Sequence, residues 1–181
     1  VTNEVSCRVV AANPNRSAVV VGPVDAAVGS GGVVVVGTHL DDRSEARRLR
    51  QLEVLLHETR SLGPHVVAGD FNAVDPDDYP DDVFAGVARM RAQHGREPPV
   101  GDVVRRLRAA GYVDACRADD DASAPRRAPL PTALRVTCWA GTRVDHVWLS
   151  AQLARQRRVS SVRVVDTDVS DHRPVVVDLT P

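Results

Sequence analysis

The sequence predicts an α+β fold for this chain of 181 residues. Valine-rich runs of strand length recur along it, most clearly in residues 32–37, 144–149 and 174–179. Other stretches place apolar residues at helical spacing and end at glycine. Hydrophobic content of 43% and charged content of 26% are typical of a globular protein with a buried core. We therefore expect one domain over residues 1–181, without an internal repeat or an interdomain linker.

The strands are predicted from apolar runs that turn-forming residues bound. Residues 17–28 and 32–37 flank a glycine-rich segment, which is typical of an antiparallel hairpin. Residues 65–68 predict a buried strand that leaves the sheet at Gly69. Residues 1–15 give no clear pattern. Further strands are expected at 136–139, 144–149, 159–165 and 174–179.

The longest predicted helix covers residues 41–62, where leucines recur on one side and Gly63 and Pro64 end the pattern. Four arginines between residues 43 and 50 are expected to form its solvent-facing side. Shorter helices are predicted over residues 83–93 and 102–110. The acidic, proline-broken segment 75–82 is expected to be a solvated loop that caps the helix after it.

Composition argues against several classes of function. The formal net charge is −1, so the chain has no overall basic signal for nucleic acid or for an anionic membrane. No apolar run reaches membrane-spanning length. The three cysteines lack metal-ligand spacing and are expected to be reduced, although a bridge between Cys116 and Cys138 stays open. With no leader-like segment and a composition that indicates GC-rich coding, a soluble bacterial protein is expected, in the cytoplasm or secreted.

Two polar residues follow the strand predicted over residues 65–68. Asp70 offers a carboxylate, and Asn72 offers an amide that both donates and accepts hydrogen bonds. The pair suits a site that holds a metal ion or a water molecule and donates to an anionic oxygen. Taken alone, an acid and an amide after a strand are most often turn formers. Both interpretations stay open on this segment by itself.

Three other stretches also place polar residues at the ends of strands or within them. They are Thr38-His39-Leu40, Arg143-Val144-Asp145 and Ser170-Asp171-His172-Arg173-Pro174. Together with Gly69-Asp70-Phe71-Asn72, their order and spacing resemble the endonuclease/exonuclease/phosphatase superfamily of metal-dependent phosphodiesterases. The resemblance covers residues 16–179. It implies a DNase I-like fold, a four-layer α/β/β/α sandwich with two sheets inside and helices outside.

The resemblance implies catalytic roles for five residues. Asp145 would orient His172, whose imidazole would stabilise charge or transfer a proton. Asp70 would position or activate the attacking water. Asn72 would hydrogen-bond the scissile phosphate, and His39 would contact that phosphate or its leaving side. Each residue alone has an ordinary interpretation as a solvated strand or turn residue, and the ordered set favours the catalytic one.

The resemblance also implies a divalent cation, Mg²⁺ or Mn²⁺, with Asp171 as a ligand. One or two metal ions act in the family, and Asp70, Asn72 and His172 are the positions that a second ion could use. His57, His65, His94 and His146 are expected to be structural or surface residues. Trp139 is a candidate for substrate contact, because it lies near the mouth that the motifs define.

The chain departs from the family on its N-terminal side. In the family, the first half supplies a metal-binding glutamate and adds strands to both sheets. Only 38 residues precede His39, and Glu4 lies too close to His39 to take that role. We therefore expect an N-terminally truncated fold. The chain would be a fragment, a domain that a second chain completes, or a degenerate member that serves in binding.

The expected function is Mg²⁺-dependent hydrolysis of a phosphoester. The substrate is open between nucleic acid, a phospholipid headgroup and an inositol phosphate. A basic groove would favour the first, and an apolar rim or an arginine cluster would favour the others. The alternative is a non-catalytic or fragmentary member that acts as a binding or interaction domain. Metal binding through Asp171 would separate the two.

Overall fold

The computed structural model describes residues 33–119 and 128–181 in full and two earlier strands as backbone. The strands, in chain order, are β1 (Cys7–Asn13), β2 (Arg16–Val21), β3 (Val34–His39), β4 (His65–Asp70), β5 (Val113–Asp114), β6 (Asp145–Leu149), β7 (Arg158–Val164) and β8 (Val175–Thr180). The helices are α1 (Glu45–Thr59), α2 (Asp81–Gln93), α3 (Asp102–Ala109) and α4 (Ala151–Gln156). Within this described part, no helix is long and apolar enough to cross a membrane.

Six strands form one mixed sheet in the order β1-β2-β3-β4-β6-β5. β2 and β3 pair antiparallel, so the predicted hairpin is confirmed for its described strands; residues 22–32 lie outside them. β3 and β4 pair in parallel, which requires a crossover connection, and α1 supplies it. β6 runs antiparallel to β4. The carboxyl ends of β3 and β4 therefore meet the start of β6 at one end of the sheet.

The main core lies between this sheet and two helices. Val36, Val67 and Trp148 on the sheet pack with Leu52 of α1 and Leu107 of α3, and each is at most 1% exposed. Burying an aliphatic side chain of this size contributes about 1.5–3 kcal/mol. The core therefore fixes the sheet on which the strand ends are arranged.

The other face of the sheet meets a second, two-stranded antiparallel sheet of β7 and β8. Neighbouring residues of a strand point to opposite faces, so Val66 and Leu149 pack toward Val159 of β7. An apolar groove of about 410 Å³, lined mainly by valine and leucine, lies between the two sheets. Nothing in the residues described here supports a second chain that completes the domain.

Some local predictions are wrong, for identifiable reasons. Residues 136–139 were expected to be a strand, but they form a turn with a single bridge between Cys138 and His172. The N–H groups of Thr137 and Cys138 donate to the Thr142 carbonyl at 3.0 Å and 3.3 Å, so these backbone groups are satisfied locally, without a strand ladder. β1 falls in residues 1–15, which gave no pattern. α4 is only six residues long and was not predicted.

The solvent-facing position expected for Arg48 is also wrong, because this residue is 1% exposed. α1 begins at Glu45, after Ser44, and Asp41 lies just before it. Arg48 donates from Nε to the Glu45 carboxylate at 2.9 Å and from its terminal nitrogen to the Asp41 carbonyl, also at 2.9 Å. A buried guanidinium is tolerated here because its hydrogen bonds are made. Cys116 and Cys138 are free thiols, so the bridge left open between them does not form.

The acidic segment expected to be a solvated loop is partly buried. Asp78 is fully buried and accepts hydrogen bonds from Arg117 and Arg143, at 2.9 Å and 2.7 Å. Arg143 in turn pairs through both terminal nitrogens with Asp114, at 3.1 Å and 2.5 Å. We call Asp78, Asp114, Arg117 and Arg143 the buried ionic cluster. Mutual pairing makes the burial of these four charges possible.

Candidate active site

The register of the sheet places three of the predicted site residues side by side. His39 is the last residue of β3, Asp70 the last of β4 and Asp145 the first of β6. Asp70 pairs with His39 across the parallel ladder and with Asp145 across the antiparallel one. His39 Nε2 lies 3.3 Å from Asp70 Oδ2. Residues far apart in sequence thus form a row across one end of the sheet.

A tight turn follows β4. Gly69 has φ of +141°, and a Cβ at this position would lie 1.9 Å from the carbonyl oxygen of Thr38, so only glycine fits. Asn72 has φ of +49°, a left-handed conformation that asparagine tolerates. Its Nδ2 donates to the Leu40 carbonyl at 3.0 Å and to Asp70 Oδ2 at 3.2 Å. The side chains of Asp70 and Asn72 line the cleft described below, whereas Phe71 between them is buried in the core.

Asp145 holds the ring of His172. His172 Nδ1 lies 2.9 Å and 3.1 Å from the two Asp145 oxygens. An ionised carboxylate only accepts hydrogen bonds, so Nδ1 carries the hydrogen and Nε2 is left for another partner. The loop that carries His172 is fixed by the bridge to Cys138 and by a 2.8 Å hydrogen bond from Trp139 N–H to the Asp171 carbonyl.

Five of the six predicted site residues line one cleft of about 430 Å³, and Asp145 lies behind His172. The five are His39, Asp70, Asn72, Asp171 and His172. This volume is within the range of small-molecule sites. The four sequence motifs therefore converge on a single concave surface.

The pKa values of two residues reflect this arrangement. Burial raises the pKa of the Asp70 carboxyl, and the charge of Asp145 raises it further, against the lowering effects of the Asn72 N–H and the histidines. Partial burial lowers the pKa of His172, but the hydrogen bond to Asp145 and its charge outweigh this effect, so the pKa is raised overall. The Asp145, Asp70 and Asp171 carboxylates thus stabilise the protonated form of the His172 ring.

The cleft contains oxygen ligands of the kind that Mg²⁺ prefers. The Asp70 and Asp171 carboxylates and the Asn72 amide all line it. In the described part of the chain, no group of three or more histidine, cysteine, aspartate or glutamate residues is arranged to hold a metal. Mg²⁺ commonly binds through one or two carboxylates, with water and substrate phosphate as further ligands, so the donor set fits that mode. Glu4 lies outside the described residues.

Other residues of the cleft were not singled out from the sequence. Met90, Arg91, His94 and Arg96 line it from the end of α2 and the turn after it. No sequence signal marks Met90, Arg91 or Arg96, because such residues are common at a helix end. His94 was expected to be a structural or surface residue; it is exposed and also lines the cleft. Trp139, a candidate for substrate contact, also lines the cleft and is 67% exposed.

Solved structures share this fold. An endonuclease/exonuclease/phosphatase from Beutenbergia cavernae has a TM-score of 0.61 and 22% identity, over 91% of this chain and 39% of that one. A functionally unknown conserved protein from Enterococcus faecalis has a TM-score of 0.57 and 15% identity, over 91% of this chain and 56% of that one. A 3′ phosphatase from Neisseria, bound to a product DNA hairpin, has a TM-score of 0.57 and 18% identity, over 91% of this chain and 64% of that one. The predicted DNase I-like α+β fold is thereby confirmed.

This chain spans less than two thirds of the length of each of these three structures. The comparison with curated proteins finds no match. The sequence matches the profile of the endonuclease/exonuclease/phosphatase family over residues 6–172. The match includes every predicted site residue, from His39 to His172. The chain therefore belongs to the endonuclease/exonuclease/phosphatase family.

Proposed function

We propose that this domain hydrolyses phosphoesters, with His172, Asp145 and Asp70 as its central groups and Mg²⁺ or Mn²⁺ as its cofactor. The observation that carries the proposal is the His172 ring, held by Asp145 at 2.9 Å, in the same cleft as Asp70. Family membership supports the reaction class, because nucleases and phosphatases both cleave phosphoesters.

His172 stabilises charge in this proposal. Hydrolysis spreads negative charge over the phosphoryl oxygens, and a preorganised cation at that position lowers the barrier. The raised pKa of His172 favours the imidazolium form. Nδ1 is committed to Asp145, so Nε2 is the atom that meets a phosphoryl oxygen or protonates the leaving oxygen. Asp145 acts through His172 as a positioning residue.

Asp70 orients the attacking water and accepts its proton. A carboxylate whose pKa is raised is a stronger base than an ordinary one, and burial raises the pKa of Asp70. Asn72 donates to the phosphate through its Nδ2. For this, Nδ2 must give up its hydrogen bond to Asp70 Oδ2 and point that hydrogen into the cleft. His39, half exposed and 3.3 Å from Asp70, contacts the phosphate or its leaving side.

Asp171 is the residue that we assign first to the metal, and Asp70, Asn72 and His172 are the further candidates. Asp171 is exposed, and its carboxylate has only a 3.5 Å contact with the Ser170 hydroxyl. A bound divalent ion supplies Lewis-acid stabilisation of the phosphoryl oxygens. The oxygen-rich donor set in the cleft supports Mg²⁺ or Mn²⁺ over a softer metal.

The test is hydrolysis of bis(p-nitrophenyl) phosphate by the purified chain with Mg²⁺ or Mn²⁺, with and without EDTA. We expect metal-dependent activity that falls about 10²–10⁴-fold in His172→Ala, which removes the acid and charge-stabilising group. His57→Ala is the matched control, because His57 is exposed on α1 and does not line the cleft. Equal activity of His172→Ala and His57→Ala would refute the assignment.

A binding domain without catalysis is the second candidate, and one observation favours it. Within the described residues, no three-ligand metal group is present. This candidate predicts that a folded chain neither hydrolyses the diester nor binds Mn²⁺ in calorimetry. The enzyme predicts Mn²⁺ binding that Asp171→Ala weakens, with Asp168→Ala, a change at an exposed neighbouring aspartate, as control.

A further inference from the structure

The cleft has a second side that the proposed chemistry does not use. Its acidic side carries Asp70 and Asp171 with the catalytic histidines. The other side is formed by Arg91, His94 and Arg96, at the end of α2 and just after it. A substrate in this cleft therefore meets both carboxylates and arginines.

Arg91 is the buried cation of this second side. It is 6% exposed and lines the cleft, and its Nε donates to the Glu97 carbonyl at 2.9 Å. Its two terminal nitrogens have no hydrogen bond, and the residue has no ion pair, with any part of the chain that the structure describes. A buried guanidinium without a carboxylate partner is costly, because desolvation is not repaid by a neighbouring charge.

The nearest carboxylates already have partners. Glu45 pairs with Arg48 at 2.8 Å and accepts from the Val103 N–H at 3.1 Å. The Glu97 carboxylate accepts from the Glu45 N–H at 2.6 Å. Burial lowers the pKa of Arg91, the charges of Arg48 and Arg96 lower it further, and the charges of Glu45 and Glu97 partly oppose this. An anion that enters the cleft from solvent would meet a guanidinium that has no ion pair within the described residues.

An aromatic surface stands beside the arginines. Trp139 is 67% exposed, and its ring lies edge-on to that of His94, with centroids 6.3 Å apart. The backbone N–H of Trp139 donates to the carbonyl of Asp171, so the aromatic surface is attached to the loop that carries Asp171 and His172. A flat organic group between two anionic groups would contact it.

We propose that Arg91, assisted by Arg96, binds a second phosphate group of a small organic substrate whose scissile phosphoester lies at the His172 end of the cleft. This assignment rests on the proposed phosphoester hydrolase function. A guanidinium with two free terminal nitrogens matches two phosphate oxygens. The substrate class is thus a small bisphosphate, with an aromatic ring favoured between its charged groups.

The probes are adenosine monophosphate and adenosine 3′,5′-bisphosphate, titrated in EDTA so that no hydrolysis occurs. Of the two tryptophans, Trp148 is fully buried and Trp139 is exposed in the cleft, so quenching of fluorescence reports binding there. We expect the bisphosphate to bind about tenfold or more tightly, from charged hydrogen bonds to the second phosphate. In Arg91→Gln the two affinities should converge.

The matched control is Arg89→Gln, which removes an exposed arginine from the same helix and should keep the preference for the bisphosphate. Arg96→Gln should weaken the preference, and it provides a second test if Arg91→Gln does not fold. Equal affinities for the two nucleotides in the wild-type chain would overturn the proposal. Tighter binding of a short oligothymidylate than of the bisphosphate would assign the arginines to a nucleic acid strand and overturn the small-molecule class.

These outcomes separate the two proposals. A preference for the bisphosphate in a chain that fails to hydrolyse bis(p-nitrophenyl) phosphate would support the second-phosphate site and remove the catalytic function. Hydrolysis of that diester by a chain with equal nucleotide affinities would support the catalytic function and remove the second-phosphate site.

Discussion

The buried ionic cluster and the cleft are built from the same residue types and behave differently. Both draw on the segment Arg143-Val144-Asp145-His146: Arg143 and His146 are buried, whereas Asp145 faces His172 at the cleft. In the cluster each arginine is paired with aspartate. In the cleft, Asp70 and Asp145 form their ion pairs with histidines, His39 and His172. One segment of four residues therefore contributes both to the buried core and to the cleft in which we propose the chemistry.

The pKa values express the difference. Burial alone would raise the pKa of Asp114, but the charge of Arg143 and its hydrogen bonds lower it to about 2. Asp70 is partly buried without an arginine, and its pKa is raised. Asp78 is paired with Arg117 and Arg143, yet burial outweighs their charges and its pKa is raised. The partner and the depth of burial therefore decide together in which direction the pKa of a carboxyl moves.

Removing one partner of the buried ionic cluster should have the largest effect on stability. Arg143→Met leaves Asp114 buried without a cation, and loss of one partner of a buried ion pair costs about 3–5 kcal/mol. We expect the free energy of unfolding in urea, followed by circular dichroism, to fall by that amount. Arg163→Met is the control, because Arg163 pairs with Asp178 at the surface and its loss should leave the midpoint almost unchanged. Equal midpoints for both variants would contradict the contrast drawn here.

The two histidines should respond to pH with opposite signs. His146 Nε2 donates to the Ala73 carbonyl at 2.9 Å, and its buried Nδ1 has no hydrogen-bond partner among the residues that the structure describes. Burial lowers the pKa of His146 to about 4. Between the ordinary value of 6.5 and about 4, the unfolded chain takes up a proton that the folded chain does not. Stability is therefore lost as pH falls through this window, by roughly 3 kcal/mol at 1.36 kcal/mol per pH unit.

Urea unfolding at several pH values between 7 and 4 measures this loss. In His146→Gln, which keeps a donor but does not titrate, the fall in stability should be smaller than in the wild type. His172 has a raised pKa, so its contribution is present at low pH and is lost as pH rises through the folded value. His172→Gln should therefore steepen the loss toward acid. The same direction of change in both variants would show that the two histidines do not differ in this way.

The sequence predicts more of the cleft than of the cluster, because strand-end motifs are local patterns and ion pairs are not. Asp78 and Arg143 are 65 residues apart, and nothing in their neighbourhoods marks them as partners. For the same reason Arg48 and the acidic segment were expected at the surface. Arg91 was not predicted either. The feature that marks it is the lack of a carboxylate partner among the described residues, and no local sequence pattern shows that.

Breaking the hydrogen-bonded pair of Asp145 and His172 should lower activity and leave folding intact. Asp145→Asn keeps the size of the side chain but removes the negative charge that orients the His172 ring and favours its protonated form. We expect turnover of bis(p-nitrophenyl) phosphate to fall about a hundredfold, at the lower end of losses for acid–base groups, with an unchanged urea midpoint. Asp168→Asn, at an exposed position outside the cleft, is the control. If Asp145 acts only through His172, the double variant with His172→Ala should be no slower than His172→Ala alone. Additive losses would instead give Asp145 a role that does not pass through His172.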